Sequence, residues 1–238
     1  MKYGKESLTD LIKELTKVIM EDIAIFGTGG FGREVLALIQ DINRVQPKWN
    51  IIGFFDDAYA PGAMCNGYAC RGKLDDLNKW PSPLNIVVAV GNPGTKKAIV
   101  GRITNPLIDF PKVIHPSVWI GDEASVEIGR GSILCAGVMV TTNVRIGEFV
   151  TLNLQCTVGH DAKIGDYSAF MPSVNISGEV IIGEEVYVGT GAKIINQLEI
   201  GSKTIVGAGA VVAKSLPANC TAVGIPSKPI KIRDTESR

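Results

Sequence analysis

Along the second half of the chain an apolar residue returns at every sixth position. The series runs Ile128, Leu134, Val140, Ile146, Leu152, Val158, Ile164, Phe170, Ile176, Ile182, Val188, Ile194, Ile200, Val206 and Val212 without a polar interruption. Two places before each stop the residue is small or β-branched, from Val126 and Ser132 to Thr204 and Ala210, with Leu198 the bulky exception. The place just after is glycine in eight of the fifteen repeats. Six matches neither the period of a helix nor that of a flat strand. It matches short strands joined by tight corners that wind into a solenoid, with one aliphatic side chain pointing inward per side. Glycine after the inward residue suits a corner that needs unusual backbone angles or close approach. With a triangular cross-section the fifteen repeats make five coils, a prism roughly 24 Å tall at the strand spacing. Ile114 and Ile120 lie two residues out of phase. They read as a leading coil with an insertion near Asp122–Ser125, so the solenoid is expected to begin around residue 112.

The first half has another rhythm. Ile23–Phe26 is a short apolar strand, Gly27-Thr-Gly-Gly-Phe-Gly32 a turn, and Val35, Leu36, Leu38 and Ile39 carry helical spacing after it. Ile51–Phe55 ends at Asp56-Asp57, and Ile86–Val90 ends at Gly91-Asn-Pro-Gly94 before a further helical stretch. This alternation predicts a small parallel, Rossmann-like sheet of three strands. Ahead of it, Leu8, Leu11, Ile12, Leu15, Val18 and Ile19 form one stripe of a helix that Ser7 or Thr9 would cap. The expected division is an N-terminal helical extension over 1–21, a Rossmann-like α/β domain over 22–111 and an all-β solenoid with a tail over 112–238.

Composition narrows the partners. Of the 238 residues, 24 are Lys or Arg and 24 are Asp or Glu, so the formal charge is zero and no nucleic-acid footprint is implied. The five cysteines contain no C-x-x-C pair, which argues for reduced thiols in a cytoplasmic protein. No apolar run approaches a membrane span of about 18 residues.

Only two histidines are present. A zinc site on a solenoid wants three, so metal chemistry is not expected. His115 precedes Pro116 at the solenoid entry and reads as a junction residue. His160 falls two places after the inward Val158, at a corner and outside the core. Asp161 beside it can fix the imidazole tautomer. One coil of eighteen residues later comes Gly178, whose backbone N–H would stack near the ring. A base beside an amide donor is what attack on a thioester carbonyl needs, because the oxyanion must be met where its charge develops. Asn153, on the neighbouring side, can hold a polar group of a substrate. Cys156 takes a small inward position and reads as buried and inert. In the first half, the amides around Gly27, Gly29 and Gly30 and the helix start behind them can receive phosphate, with Asp56 and Asp57 near a ribose or base. Three strands suit a mononucleotide better than NAD.

These residues resemble the sugar acyltransferases with a left-handed parallel β-helix, in particular the sialic acid O-acetyltransferase and bacillosamine-pathway N-acetyltransferase family. The resemblance spans residues 22 to about 232. It is carried by Ile25–Glu34, Phe55-Asp-Asp57, Val113-Ile-His-Pro116, Gly159-His-Asp161 with Ile164-Gly-Asp166, the hexapeptide array and Val223–Lys228. It implies the left-handed sense of the coil, which the common right-handed crossover would not predict. It further implies that His160 is the general base with Asp161 behind it, and that Gly178 meets the thioester carbonyl. Asn153 would orient the acceptor, while Gly178 and Ala208 would contact acetyl-CoA lying between subunits of a homotrimer. A nucleotide-linked sugar would sit on Gly27, Gly29, Gly30, Asp56 and Asp57. One departure stands out: many relatives carry a second histidine where this chain has Ala169, leaving Ser168 or the residues around Pro172 to serve the donor.

The expected reaction is acetyl transfer from acetyl-CoA to an amino group of the nucleotide sugar, without a covalent enzyme intermediate. O-acetylation of sialic acid or another sugar hydroxyl uses the same groups. A nicotinamide-dependent dehydrogenase and a non-catalytic sugar-nucleotide-binding solenoid are the readings from other classes. The short sheet argues against the first, and the pairing of His160 with Gly178 against the second.

Overall fold

The computed structural model describes residues 20–233. The helix expected over Leu8–Ile19 lies outside them. The first strands form where the apolar runs lie: β1 (Glu21–Phe26), β2 (Trp49–Phe55) and β5 (Leu84–Val88) pair in parallel with β1 central. Between β1 and β2 runs α1 (Gly30–Val45), which buries Val35, Leu36, Leu38 and Ile39 on the sheet. Gly32 permits that packing, since a Cβ there would stand 1.9 Å from the Gly27 carbonyl oxygen.

The sheet is larger than three strands. A hairpin of β3 (Met64–Cys65) and β4 (Tyr68–Gly72) adds at one edge, and β6 (Ile108–Asp109) at the other, giving the order β3-β4-β2-β1-β5-β6. Only the β3–β4 pairing is antiparallel. These edge strands are short and interrupted by polar residues, so periodicity alone does not mark them. Two helices complete the layer, α2 (Leu74–Asn78) and α3 (Pro93–Arg102).

From Val113 the chain winds as a left-handed parallel β-helix of two-residue strands on three faces. Partners one coil apart stand eighteen residues apart, for example Thr157 with Asn175 and Val158 with Ile176. In each pair the second residue points inward, and Val140, Val158, Phe170, Ile176 and Val188 are essentially solvent-free. Each such side chain contributes about 1.5–3 kcal/mol by leaving water. The leading coil pairs Met139 with Trp119, twenty residues apart, and the extra two residues form the turn at Asp122–Ser125. The third residue of a corner takes the left-handed backbone region, as at Asp161 (φ 60°) and Glu179 (φ 60°). The glycines after the inward residues serve close approach instead. A Cβ on Gly159 would lie 2.6 Å from the Gly178 nitrogen in the next coil.

The two parts share a core. Ile23, Leu38, Ile39 and Trp49 cluster with Val113, Ile133 and Cys135 of the first coils. His115 sits at this seam: its Nδ1 accepts from the Ser117 N–H and its Nε2 lies 3.2 Å from Asp41 of α1. Among the described residues no helix is long and apolar enough to cross a membrane.

Candidate active site

His160 and Gly178 occupy the same corner on successive coils. The strand Thr157–Val158 delivers His160, the strand Asn175–Ile176 delivers Gly178, and the Glu179 N–H donates to the His160 carbonyl at 2.8 Å to lock the corners in register. The imidazole lies flat on Gly178: a Cβ there would meet Nε2 at 2.5 Å and Cε1 at 2.6 Å. Any side chain at this position would push the ring out of its place.

On its other side the ring is anchored. His160 Nδ1 stands 2.8 Å from Asp161 Oδ2, and this bond holds the Asp161 carboxyl below its ordinary pKa. An ionised carboxylate only accepts, so Nδ1 carries a proton, and in the neutral ring Nε2 is then the nitrogen that presents a lone pair. Among the described residues Nε2 has no hydrogen-bond partner, and the Gly178 N–H donates to no protein acceptor. A basic nitrogen and an unused amide donor therefore meet at one edge. The His160 side chain is 57% exposed, so a substrate can reach it.

Asn153 and Ala208 stand elsewhere in the coil. Both lie on the corner preceding the strand face that ends at His160, with Ala208 three coils above Leu154 and exposed. Asn153 is 6% exposed and its Oδ1 accepts from the Leu154 N–H at 2.7 Å, leaving its amide nitrogen to offer. Ser168 is spent internally, donating to the Gly183 carbonyl and accepting from the Val186 N–H, and Ala169 beside it is fully buried. Ser168 thus faces the coil interior, with its hydroxyl already donating and accepting there. Cys156 is buried, which pushes its thiol pKa up to about 11 and away from reactivity.

In the α/β part, the strand ends assemble a second region. Gly29 and Gly30 face open space at the start of α1, whose N-cap has no side-chain partner. Asp56 is already engaged: one oxygen accepts from the Thr28 N–H (2.8 Å) and hydroxyl (2.7 Å), the other from the Ala58 N–H. Burial raises its pKa, but these three bonds outweigh it and the net direction is down. Asp57 accepts from the Leu74 N–H at the start of α2 and lies 3.8 Å from Arg102. Asp56 thus braces the glycine turn, and Asp57 the start of α2.

Sequence reasoning missed a cleft of about 540 Å³ between the two parts. Asn92, Pro93 and Gly94 form one wall, and Glu185, Tyr187, Lys203, Asn219 and Arg233 line the coil side. It opens beyond the carboxyl end of β5, next to central β1, where parallel sheets receive ligands. Its walls come from segments some ninety residues apart, so no local motif announces it. Lys96, just behind it, is also silent in sequence. It is wholly buried, with Nζ 3.1 Å from the Phe149 carbonyl and 2.6 Å from Thr151 Oγ1.

Comparison with known proteins gives this geometry a family. Residues 22–103 match the PglD N-terminal domain. Over 154 residues the chain is 33% identical to GDP-perosamine N-acetyltransferase of Escherichia coli O157:H7, a match covering 62% of this chain and 66% of that protein. The acetyltransferase domain of PglB from Neisseria gonorrhoeae, solved with acetyl coenzyme A, superposes with a TM-score of 0.80 at 32% identity, over 89% of this chain and all of that one. PerB from Caulobacter crescentus, solved with CoA and GDP-perosamine, superposes with a TM-score of 0.79 at 26% identity, over 90% of this chain and all of that one. The chain belongs to the hexapeptide-repeat sugar N-acetyltransferases of the bacillosamine and perosamine type. In this acetyltransferase family member the small N-terminal sheet and the left-handed coil expected from sequence are both present.

Proposed function

We propose that the protein transfers the acetyl group of acetyl-CoA to the amino group of a nucleoside-diphosphate amino sugar, with His160 as general base. The observation that carries this reading is the unpartnered Nε2 of His160 lying against Gly178, whose N–H is also unpartnered. The amine attacks the thioester carbonyl while Nε2 takes its proton, and the Gly178 amide stabilises the oxyanion of the tetrahedral intermediate. Collapse expels the CoA thiolate, which recovers the proton from the imidazolium. Asp161 holds the ring in the tautomer that both transfers require. No covalent adduct forms, in keeping with the burial of Cys156.

The nucleotide sugar enters at the carboxyl ends of β1 and β5. Gly29, Gly30 and the start of α1 receive its diphosphate, with the Asn92–Gly94 wall of the cleft beside them. Asp56 and Asp57 act through the loop they fix. Asn153 and Ala208 lie on a different corner from His160 and join the site across a second copy of the chain. A cyclic trimer, with acetyl-CoA between neighbouring coils, would bring the two corners together. Exposed Trp119 (51%) and Met139 (47%) on the intervening strand face favour the same assembly.

A thiol-release assay with acetyl-CoA and a panel of nucleotide-linked amino sugars, their hydroxyl counterparts and free sialic acids tests the reaction. Turnover confined to the amino sugars is expected. His160→Ala should lower kcat by about 10²–10⁴ with folding intact; near-normal turnover of that variant rejects His160 as the base.

A further inference from the structure

Helix α3 meets the coil in an unusual way. Ile99 and Val100 pack, partly buried, against the core of the α/β sheet, whereas the helix's most buried residues are Pro93 and Lys96 near its start. Lys96 enters the seam and donates to the Phe149 carbonyl and the Thr151 hydroxyl, both uncharged acceptors. Lys97 makes a second attachment two coils higher, with Nζ 2.7 Å from Glu185 and 3.6 Å from Glu184. The residues that open the helix, Asn92 to Gly94, are the wall of the cleft. A buried amine facing neutral acceptors loses solvation that apolar packing would not lose. Two directional bonds also fix depth and rotation, which apolar contact does not.

We propose that Lys96 is a positioning residue for the nucleotide sugar. It pins α3 to the coil at one height, and thereby presets the distance between the Asn92–Gly94 wall and the coil side of the cleft. Replacing it should loosen that wall without reaching the acyl-donor corner, because His160 and Gly178 lie on another corner of the coil. The inference rests on the reading of the cleft as the entry for the nucleotide sugar. It adds that affinity for this substrate is set by a contact that never touches it.

Lys96→Met keeps the length of the side chain and removes its donors. A folded variant with a melting temperature near or above that of the wild type is expected, since a buried amine is replaced by an apolar group. Its KM for the nucleotide sugar should rise about tenfold, with kcat and the KM for acetyl-CoA within threefold of the wild type. Thr151→Val, which removes one acceptor at constant shape, should move the same constant in the same direction by less, and decides the matter if Lys96→Met does not fold. Hydrogen exchange supplies a readout independent of turnover: amides of residues 93–102 should exchange faster in either variant. Unchanged KM for the sugar in a folded variant, equal changes in both KM values, or unaltered exchange in α3 would each overturn the proposal. If the wild-type protein acetylates no nucleotide amino sugar, the proposed reaction fails while the exchange comparison still decides whether Lys96 holds the helix.

Discussion

Gly178→Ala is the smallest change that reaches the proposed chemistry. The added methyl carbon would stand 2.5 Å from Nε2, 2.6 Å from Cε1 and 3.0 Å from Cδ2 of His160. Optimal contact between such atoms begins near 3.5 Å, so the imidazole must retreat by roughly 1 Å. It can do so, since more than half of the side chain faces solvent, but the movement carries Nδ1 off the 2.8 Å bond to Asp161. The backbone amide survives the substitution, and Gly178 does not occupy the left-handed region, so alanine fits its conformation. The damage therefore falls on the placement of the base. A misplacement of about 1 Å costs on the order of 10² in rate, and removal of a general base 10²–10⁴. Thiol release at saturating acetyl-CoA should show kcat lowered by about 10²–10³, with an unchanged melting curve. Because both substitutions act through one ring, the double variant with His160→Ala should be no slower than His160→Ala alone. A Gly178→Ala enzyme within threefold of wild-type kcat would refute the placement of the base against this glycine.

Two further outcomes probe the α/β part. Gly30→Asp is accommodated, since nothing but the Arg33 guanidinium at 4.0 Å comes near its Cβ, and a carboxylate in the first turn favours the helix itself. It should raise the KM for the nucleotide sugar about tenfold or more by repelling the diphosphate, leaving the KM for acetyl-CoA alone; equal KM values for the sugar in both proteins would remove the diphosphate from this turn. Stability should also report on Lys96, whose pKa burial pulls down to about 7 while Cys135 acts weakly against it. Its folded pKa lies below its unfolded value, so between about pH 7 and 10 the unfolded chain binds more protons and stability rises with pH, by up to about 1.4 kcal/mol per unit from this group. Cys135, raised to about 12 by burial first and Glu34 next, and Cys156, at about 11, lower stability as pH climbs past 9. Urea midpoints at pH 7 and 8.5 should therefore rise more steeply for the wild type than for Lys96→Met, and parallel slopes would show that the amine is not held in this way.

The coil was legible because its constraint repeats. Every inward position meets the same wall, so Val140, Val158 and Ile176 obey one rule, and a period of six read from them fixes which residues stack eighteen apart. That arithmetic alone joined His160 to Gly178. The two-residue slip at Asp122–Ser125 was legible for the same reason, as a break in phase. The edge of the α/β sheet was not. Met64–Cys65 and Ile108–Asp109 are two-residue strands held by pairing with their neighbours, and pairing between distant segments leaves no local pattern. Glycine after the inward residue carried an ambiguity that sequence could not resolve: the left-handed conformation belongs to the third corner residue, often a polar one such as Asp161, while glycine answers to the coil above.

The same distinction explains which parts of the site were visible. A group whose role is set within one coil, such as Asp161 beside His160, declares itself by adjacency. The bonds of Asp56 do not, because Thr28 lies twenty-eight residues away and nothing local announces that its amide and hydroxyl both donate to this carboxylate. Lys96 is the extreme case, since Phe149 and Thr151 lie more than fifty residues on and a lysine inside a helix reads as surface. The corner of His160 and Gly178 thus belongs to the repeat and is constrained by it at every coil. The cleft proposed for the acceptor belongs to the seam between two folds, where single side chains set its width. On the proposed reading, substrate choice would change at that seam, through Lys96 or the Asn92–Gly94 wall, while His160 and the Gly178 amide stay where the coil puts them.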